Sequence, residues 1–206
     1  MKINQIVDLS VSLRGDIPSD PPGFIPEIEY ADHKQGAKQM VQSFPGLSSQ
    51  DLPGGEGWSL EKVKMSTHAG THIDAPYHYR SVTDDGKRMM TIDEVPLDWF
   101  HGPGVKLDFR HLKDGHIVTP EEIEQELHRI NHKLAPGDIV LVNTSAGAKY
   151  GQSDYLDSGC GMGREATLFL TERGVRLVGT DAWSWDAPFS MTAKRFEQEK
   201  DPSIIW

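Results

Sequence analysis

TPEEIEQELHRINHKLAPGDIVLV, residues 119–142, reads as a helix followed by a buried strand. Thr119 is an N-cap residue, Pro120 suits the first helical position, and Glu122 can close a capping box back onto Thr119. Ile123, Leu127, Ile130 and Leu134 recur at helical spacing on one face. Pro136-Gly137 stops the helix. The run IVLV, 139–142, has no polar member and is expected as a central, fully buried strand.

The neighbouring segments repeat the alternation. In GVKLDF, 104–109, Val105, Leu107 and Phe109 alternate with Lys106 and Asp108, which predicts a strand. A helix over roughly 164–173 should end at Gly174 as its C′ residue, followed by the strand VRLVGT, 175–180. Strands alternating with helices predict one α/β domain over residues 1–206. Residues 3–13, with Ile3, Val7, Leu9 and Val11 among polar neighbours, are expected as a first strand. Residues 15–59 read as a long irregular segment rich in Gly and Pro, 145–163 as a glycine-rich connection, and 192–200 as a short helix.

Composition bounds the partners. A chain of 206 residues can bury one sizeable core. Its formal charge of -10 repels phosphate backbones, so neither nucleic acid nor an anionic membrane is an expected partner. No run of about 18 apolar residues offers a membrane span. The opening MKINQIVDLS is polar and charged where a signal peptide is apolar, so a cytoplasmic location is expected. Cys160 is the single cysteine, which excludes an intrachain disulfide and a thiolate zinc cluster.

HAGTHIDAPYH, residues 68–78, places His68, His72, Asp74 and His78 within eleven positions. His68 and His72 have the spacing of a metalloprotease helix, but Ala-Gly-Thr lies between them and the glutamate of that motif is missing. Gly70, Thr71, Ile73 and Pro76 also disfavour a helix. On a strand, Val63, Met65, Thr67, Ala69, Thr71 and Ile73 would share one face, and His68, Gly70, His72 and Asp74 the other. Gly70 would then leave room for an ion or a substrate. Pairing should end near Pro76, where the chain turns and lets His78 reach back. Two imidazoles and a carboxylate suit Zn²⁺, Mn²⁺ or Fe²⁺. With His68, His72 and Asp74 as ligands, positions stay open for water, whose pKa such an ion lowers to around 7, and His78 is placed to move protons. The alternative is a set of surface histidines satisfied by local hydrogen bonds.

The stretch resembles the signature of the cyclase family of metal-dependent hydrolases, a group with kynurenine formamidase-like and isatin hydrolase-like members. The family pattern is His-x-Gly-Thr-His-x-Asp-x-Pro-x-His, and every fixed position is present. DLS at 8–10, GCGMGREATL at 159–168 and LTERGVRLVGTDAWSWDAPF at 170–189 extend the likeness over nearly the whole chain, toward the longer branch of the family. The resemblance implies a swivelling β/β/α-type fold, a mixed sheet with flanking helices, and a homodimer or homotetramer. It implies a cofactor of Zn or Mn and hydrolysis of a small-molecule N-formyl, aryl-formamide or cyclic amide. By position, His68, His72 and Asp74 would bind metal and His78 would be the catalytic acid/base. Lactone or ester hydrolysis could use the same groups, and a non-catalytic metal- or ligand-binding role is the rival from another class. Family members add a histidine and a later glutamate or glutamine from their C-terminal part. Here no histidine follows His132, so the chain reads as C-terminally short.

Other residues carry weaker signals. Trp58 and Tyr77 flank the motif and could stack on a flat substrate or pack against the chain. Arg164 could bind a substrate carboxylate or simply open a helix. Trp183 and Trp185 read as core or oligomer contacts. Asp181 and Asp186 read first as structural hydrogen-bonding groups, then as groups that orient the histidines. His101, His111, His116, His128 and His132 read as structural. No histidine lies near Cys160 in sequence to activate it as a nucleophile.

Overall fold

The computed structural model describes residues 5–205. The chain forms two compact units, one running up to Ile17 and resuming over Pro22–His72, the other made of Pro18–Pro21 and the chain from Ile73 onward.

In the first unit, β1 (Glu27–Ala31) pairs antiparallel with β2 (Leu60–Lys64), Ile28 opposite Val63. One face of this ribbon is charged, with Lys64 bonded to Glu27 at 2.9 Å. Helix α1 (His33–Ser43) lies between the strands in sequence, inside the segment expected to be irregular. Its Asp32 and Gln35 form a capping box. Gly36 and Gly57 let two backbones touch: a Cβ on Gly36 would sit 1.6 Å from the Trp58 carbonyl oxygen. His33 fastens the same approach, its Nδ1 2.8 Å from the Gly57 carbonyl oxygen.

The strand expected over residues 3–13 does not form across 5–13; Ile3 lies outside the described residues. Both the hydroxyl and the N–H of Ser10 donate to the Asp8 carboxylate, at 2.6 and 2.9 Å. Such local bonds compete with a β ladder. Ile6, Val7 and Leu9 are exposed, so the alternation in this segment marks no buried face.

The second unit holds the core. The end of HAGTHIDAPYH lies in this unit, on the one-turn helix α2 (Pro76–Tyr79). Strands β3 (Gly104–Asp108), β5 (Ile139–Asn143) and β7 (Leu177–Thr180) form a parallel sheet with β5 in the middle. A two-residue pair, β4 (Ile117–Val118) and β6 (Gly161–Met162), is also parallel. Helices α3 (Pro120–Arg129) and α4 (Arg164–Glu172) supply the connections, and α5 (Phe189–Glu199) follows the last strand. Val105 and Leu107 of β3 and Val140 and Val142 of β5 pack with Ile123 and Leu127 of α3 and with Ala166, Phe169 and Leu170 of α4.

The expected capping box is present: Glu122 N–H donates to Thr119 Oγ1 at 3.3 Å, and Thr119 N–H donates to Glu122 at 2.9 Å. Gly174 ends α4 at φ +83°. Two expectations need correction: the helix expected to run on to Pro136-Gly137 ends at Arg129, with Asn131 at φ +53° just beyond it, and the run IVLV is not buried throughout. Only Val140 and Val142 of IVLV are buried; Ile139 and Leu141 are half-buried, because the helices cover one face of the sheet. Around β6, a Cβ on Gly161 would lie 2.0 Å from the Ala187 backbone nitrogen. Met162 N–H donates to the Trp185 carbonyl at 2.8 Å. Strand β6 therefore anchors the segment that carries Asp186. Among the described residues no helix is long and apolar enough to cross a membrane.

Candidate metal centre

The backbone through HAGTHIDAPYH is a turn. Strand β2 ends at Lys64, and Ala69 N–H donates to the Ser66 carbonyl at 3.1 Å. His68 N–H is held by Ser66 Oγ at 3.2 Å. The two-faced strand expected through Asp74 is thus replaced by local bonds from Ser66 onward. Gly70 has φ +68°, a conformation that side chains strongly disfavour. A Cβ there would make only an ordinary 3.5 Å contact with Leu13. Glycine is needed here for its backbone conformation. Thr71 ties the turn down, its Oγ1 accepting from Val11 N–H at 2.9 Å.

This turn arranges the histidines. The His72 Nδ1 lies 2.8 Å from the Gly70 carbonyl oxygen. A ring that donates there is fixed as the Nδ1–H tautomer, with its lone pair on Nε2. The His68 and His72 rings meet edge to face, centroids 5.3 Å apart. Pro76 opens α2, and His78 N–H donates to the Ala75 carbonyl at 2.9 Å. Tyr77 N–H donates to Met90 at 3.0 Å, fixing the turn from outside.

Along this stretch one donor atom each of His68, Asp74 and His78 lie within 4.8 Å of one another. Ligands about 2.0–2.2 Å from an ion can stand at most roughly 4.4 Å apart. Two imidazoles and a carboxylate at this spacing therefore fit a divalent ion after small side-chain adjustment. Histidine and carboxylate ligands suit zinc and the neighbouring first-row metals.

Tyr79, which the sequence reading did not single out, belongs to this group. Its ring meets the His78 ring edge-on, with centroids 5.1 Å apart. Burial raises the phenol pKa, and the nearby Asp74 and Asp186 charges raise it further. The phenol thus stays protonated and able to donate. Burial also raises the Asp186 carboxyl. The available signal was the aromatic residue directly after the last histidine of the motif.

The remaining candidates are placed as follows. Trp58 is half-exposed, its backbone against α1. Tyr77 is half-exposed on α2, next to His78. Arg164 starts α4, exposed and bonded to Glu165 at 2.6 Å. Asp181 takes the structural role read first for it, accepting from Asn143 Nδ2 at 2.5 Å and from Thr144 N–H and Oγ1 at 2.8 Å. His116 and His132 pair with Glu122 and Asp138, at 2.9 and 2.8 Å. Cys160 is buried, and burial pushes its thiol up to about 11, the opposite of an activated nucleophile.

The pattern that defines the Cyclase family matches residues 7–187. The kynurenine formamidase of Bacillus mycoides is 28% identical over 189 residues, covering 90% of this chain and 72% of its own. Among solved structures, isatin hydrolase A from Labrenzia aggregata, bound to benzyl benzoate, is 29% identical with a TM-score of 0.65, covering 89% of this chain and 70% of its own. Isatin hydrolase A from Ralstonia solanacearum, 23% identical, has the same fold at a TM-score of 0.65, covering 88% of this chain and 68% of its own. The mixed α/β architecture, the complete motif and these likenesses agree: the chain belongs to the Cyclase family of metal-dependent hydrolases.

Proposed function

We propose that this chain hydrolyses the C–N bond of a small amide, either an N-formyl or aryl-formamide or a cyclic amide. His68, His72 and Asp74 would hold one Zn or Mn ion, and His78 would act as acid and base. The observation that carries a divalent-ion site is the convergence of His68, Asp74 and His78 donor atoms within 4.8 Å; His72 is not among these three, so its place as a ligand, with His78 as the acid and base, rests on the motif positions. The kynurenine formamidase and isatin hydrolase names of the relatives support amide substrates.

When bound, the ion supplies Lewis-acid polarisation of the carbonyl and a water of lowered pKa. The chain's own residues do the rest. The His72 ring is oriented by the Gly70 carbonyl, so that Nε2 is its ligand atom. His78 takes a proton from the attacking water while that oxygen bonds to the carbonyl carbon. It then gives a proton to the amide nitrogen as the C–N bond breaks, so that nitrogen leaves as a neutral amine. Tyr77, beside His78, and Trp58 are proposed as stacking surfaces for a flat substrate.

The test is turnover of three substrate types with added Mn²⁺ or Zn²⁺: an N-formyl arylamine, a cyclic imide and a lactone. Preference for either amide supports the proposal. Preference for the lactone replaces it with ester hydrolysis. No turnover with the metal bound favours a binding protein.

A further inference from the structure

Within the first unit, the segment around Val11 is fastened to the turn that carries His68 and His72. Val11 N–H donates to Thr71 Oγ1 at 2.9 Å, across 60 positions of sequence. Nearby, a Leu13 side-chain carbon stands 3.5 Å from the point where a Gly70 Cβ would lie. The other end of the turn is held by Ala69, which is buried and whose N–H donates to the Ser66 carbonyl at 3.1 Å. Between these two anchors lies the peptide group that joins Gly70 to Thr71. Its carbonyl oxygen is the one 2.8 Å from His72 Nδ1. That carbonyl can swing away only if the torsions on either side of it change together. Gly70, at φ +68° and without a Cβ, offers little resistance to such a change. Resistance must come from Thr71. Its β-branched side chain is stiff about χ1, so a bond that fixes Oγ1 also fixes the backbone it grows from.

We propose that Thr71 is a positioning residue for His72: its hydroxyl oxygen, engaged by Val11 N–H, holds the Gly70 carbonyl against the His72 ring and so keeps Nε2 as the atom offered to a divalent ion. The inference rests on the reading of His72 as a metal ligand. His72 is exposed, so its bond to the carbonyl competes with water and holds only while the carbonyl stays in place. Without that bond either ring nitrogen can carry the proton, and the ring must be reoriented before it binds an ion. The Val11–Thr71 bond is itself open to solvent, and such a bond adds little to global stability. Its loss should therefore show in the histidine and in the metal rather than in the fold.

The experiment compares the full chain as wild type, Thr71→Val, Thr71→Ser and His72→Ala. Zn²⁺ affinity is measured by calorimetry, the His72 tautomer of the metal-free protein by NMR of the ring nitrogens, and its stability by thermal melts. Thr71→Val keeps the branched shape and loses the acceptor. It is expected to lose the Nδ1–H preference of His72 and to bind Zn²⁺ about 10-fold more weakly, the lower end of what hydrogen-bond partners of metal ligands contribute. Its metal-free melting temperature should stay close to wild type. Thr71→Ser keeps the acceptor and should restore most of the tautomer preference and the affinity. If Thr71→Val keeps both at wild-type level while His72→Ala is weakened, the role of Thr71 is overturned and the ligand reading stands. If Thr71→Val and Thr71→Ser are weakened alike, the methyl group matters and not the hydroxyl, and the proposal is overturned. If Thr71→Val melts well below wild type, the ring signal of the folded protein decides: a retained Nδ1–H preference overturns the proposal, and a lost one supports it. If His72→Ala keeps wild-type affinity, the metal-ligand reading of His72 fails, and this inference falls with it.

Discussion

The His72 ring is held by the carbonyl of Gly70, two residues earlier, at 2.8 Å. Gly70 itself sits at φ +68°. The orientation of a proposed ligand therefore depends on a backbone conformation that only glycine adopts cheaply.

Gly70→Ala should cost about 1–2 kcal/mol, the penalty for a left-handed non-glycine residue. In a chain of this size that is a fall of roughly 2–8 °C in melting temperature. Metal affinity should fall as well, because the His72 ring loses its anchor. A differential melt with and without Mn²⁺ separates the two. A variant with wild-type melting and affinity would show that the turn does not control the ring.

His78→Ala should retain metal and lose about 10²- to 10⁴-fold in kcat. The checks are steady-state kinetics and metal content on the same preparation. Because His78 shares the 4.8 Å cluster with His68 and Asp74, parallel loss of metal and activity would make it a ligand.

Thr119→Ala removes the N-cap of α3, which lies outside HAGTHIDAPYH. The expected cost is about 1 kcal/mol of stability, read by chemical denaturation, with metal affinity unchanged. Loss of metal binding would mean that the core helix and the centre are coupled.

Glu126 gives a pH signature. Its side chain is buried, and the Arg129 guanidinium holds its pKa below the ordinary 4.5, with the Asp108 N–H adding to this and burial opposing it. Asp108 is likewise lowered, first by Arg110. A lowered folded-state pKa gives stability that is fully present above the unfolded value and lost as pH falls through the folded one. Melting temperature should therefore decline from about pH 4.5 downward. Glu126→Gln should start less stable and show a shallower decline. An identical slope in wild type and variant would remove Glu126 from the acid response.

Much of the second unit was legible because local signals agree there with packing. Thr119, Pro120 and Glu122 cap α3 as read, and Val105 and Leu107 face the core as their alternation implies, while of the run read as fully buried only Val140 and Val142 do. The first unit was harder to read. Helix α1 carries Gly36 in its interior and buries only Gly36 and Ala37, so hydrophobic spacing was silent. The Asp32–Gln35 capping signal was present but unaccompanied by an apolar face. Alternation also misled where side chains bond their own backbone, at Asp8 and Ser10 and again at Ser66 and His68. In the candidate centre, the donor types and their spacing in sequence were readable. Gly70's conformation and Tyr79's ring contact with His78 were not, since both depend on how a turn closes.

The most direct test is metal content per chain, measured after equilibrium dialysis against Mn²⁺ or Zn²⁺, for the wild type and for His72→Ala. One ion per wild-type chain is expected, largely lost in His72→Ala, with little change in the circular dichroism of the metal-free proteins. An unchanged metal content in His72→Ala would contradict the assignment of His72 as a ligand, and a wild-type chain that binds no divalent ion would contradict the proposed centre itself.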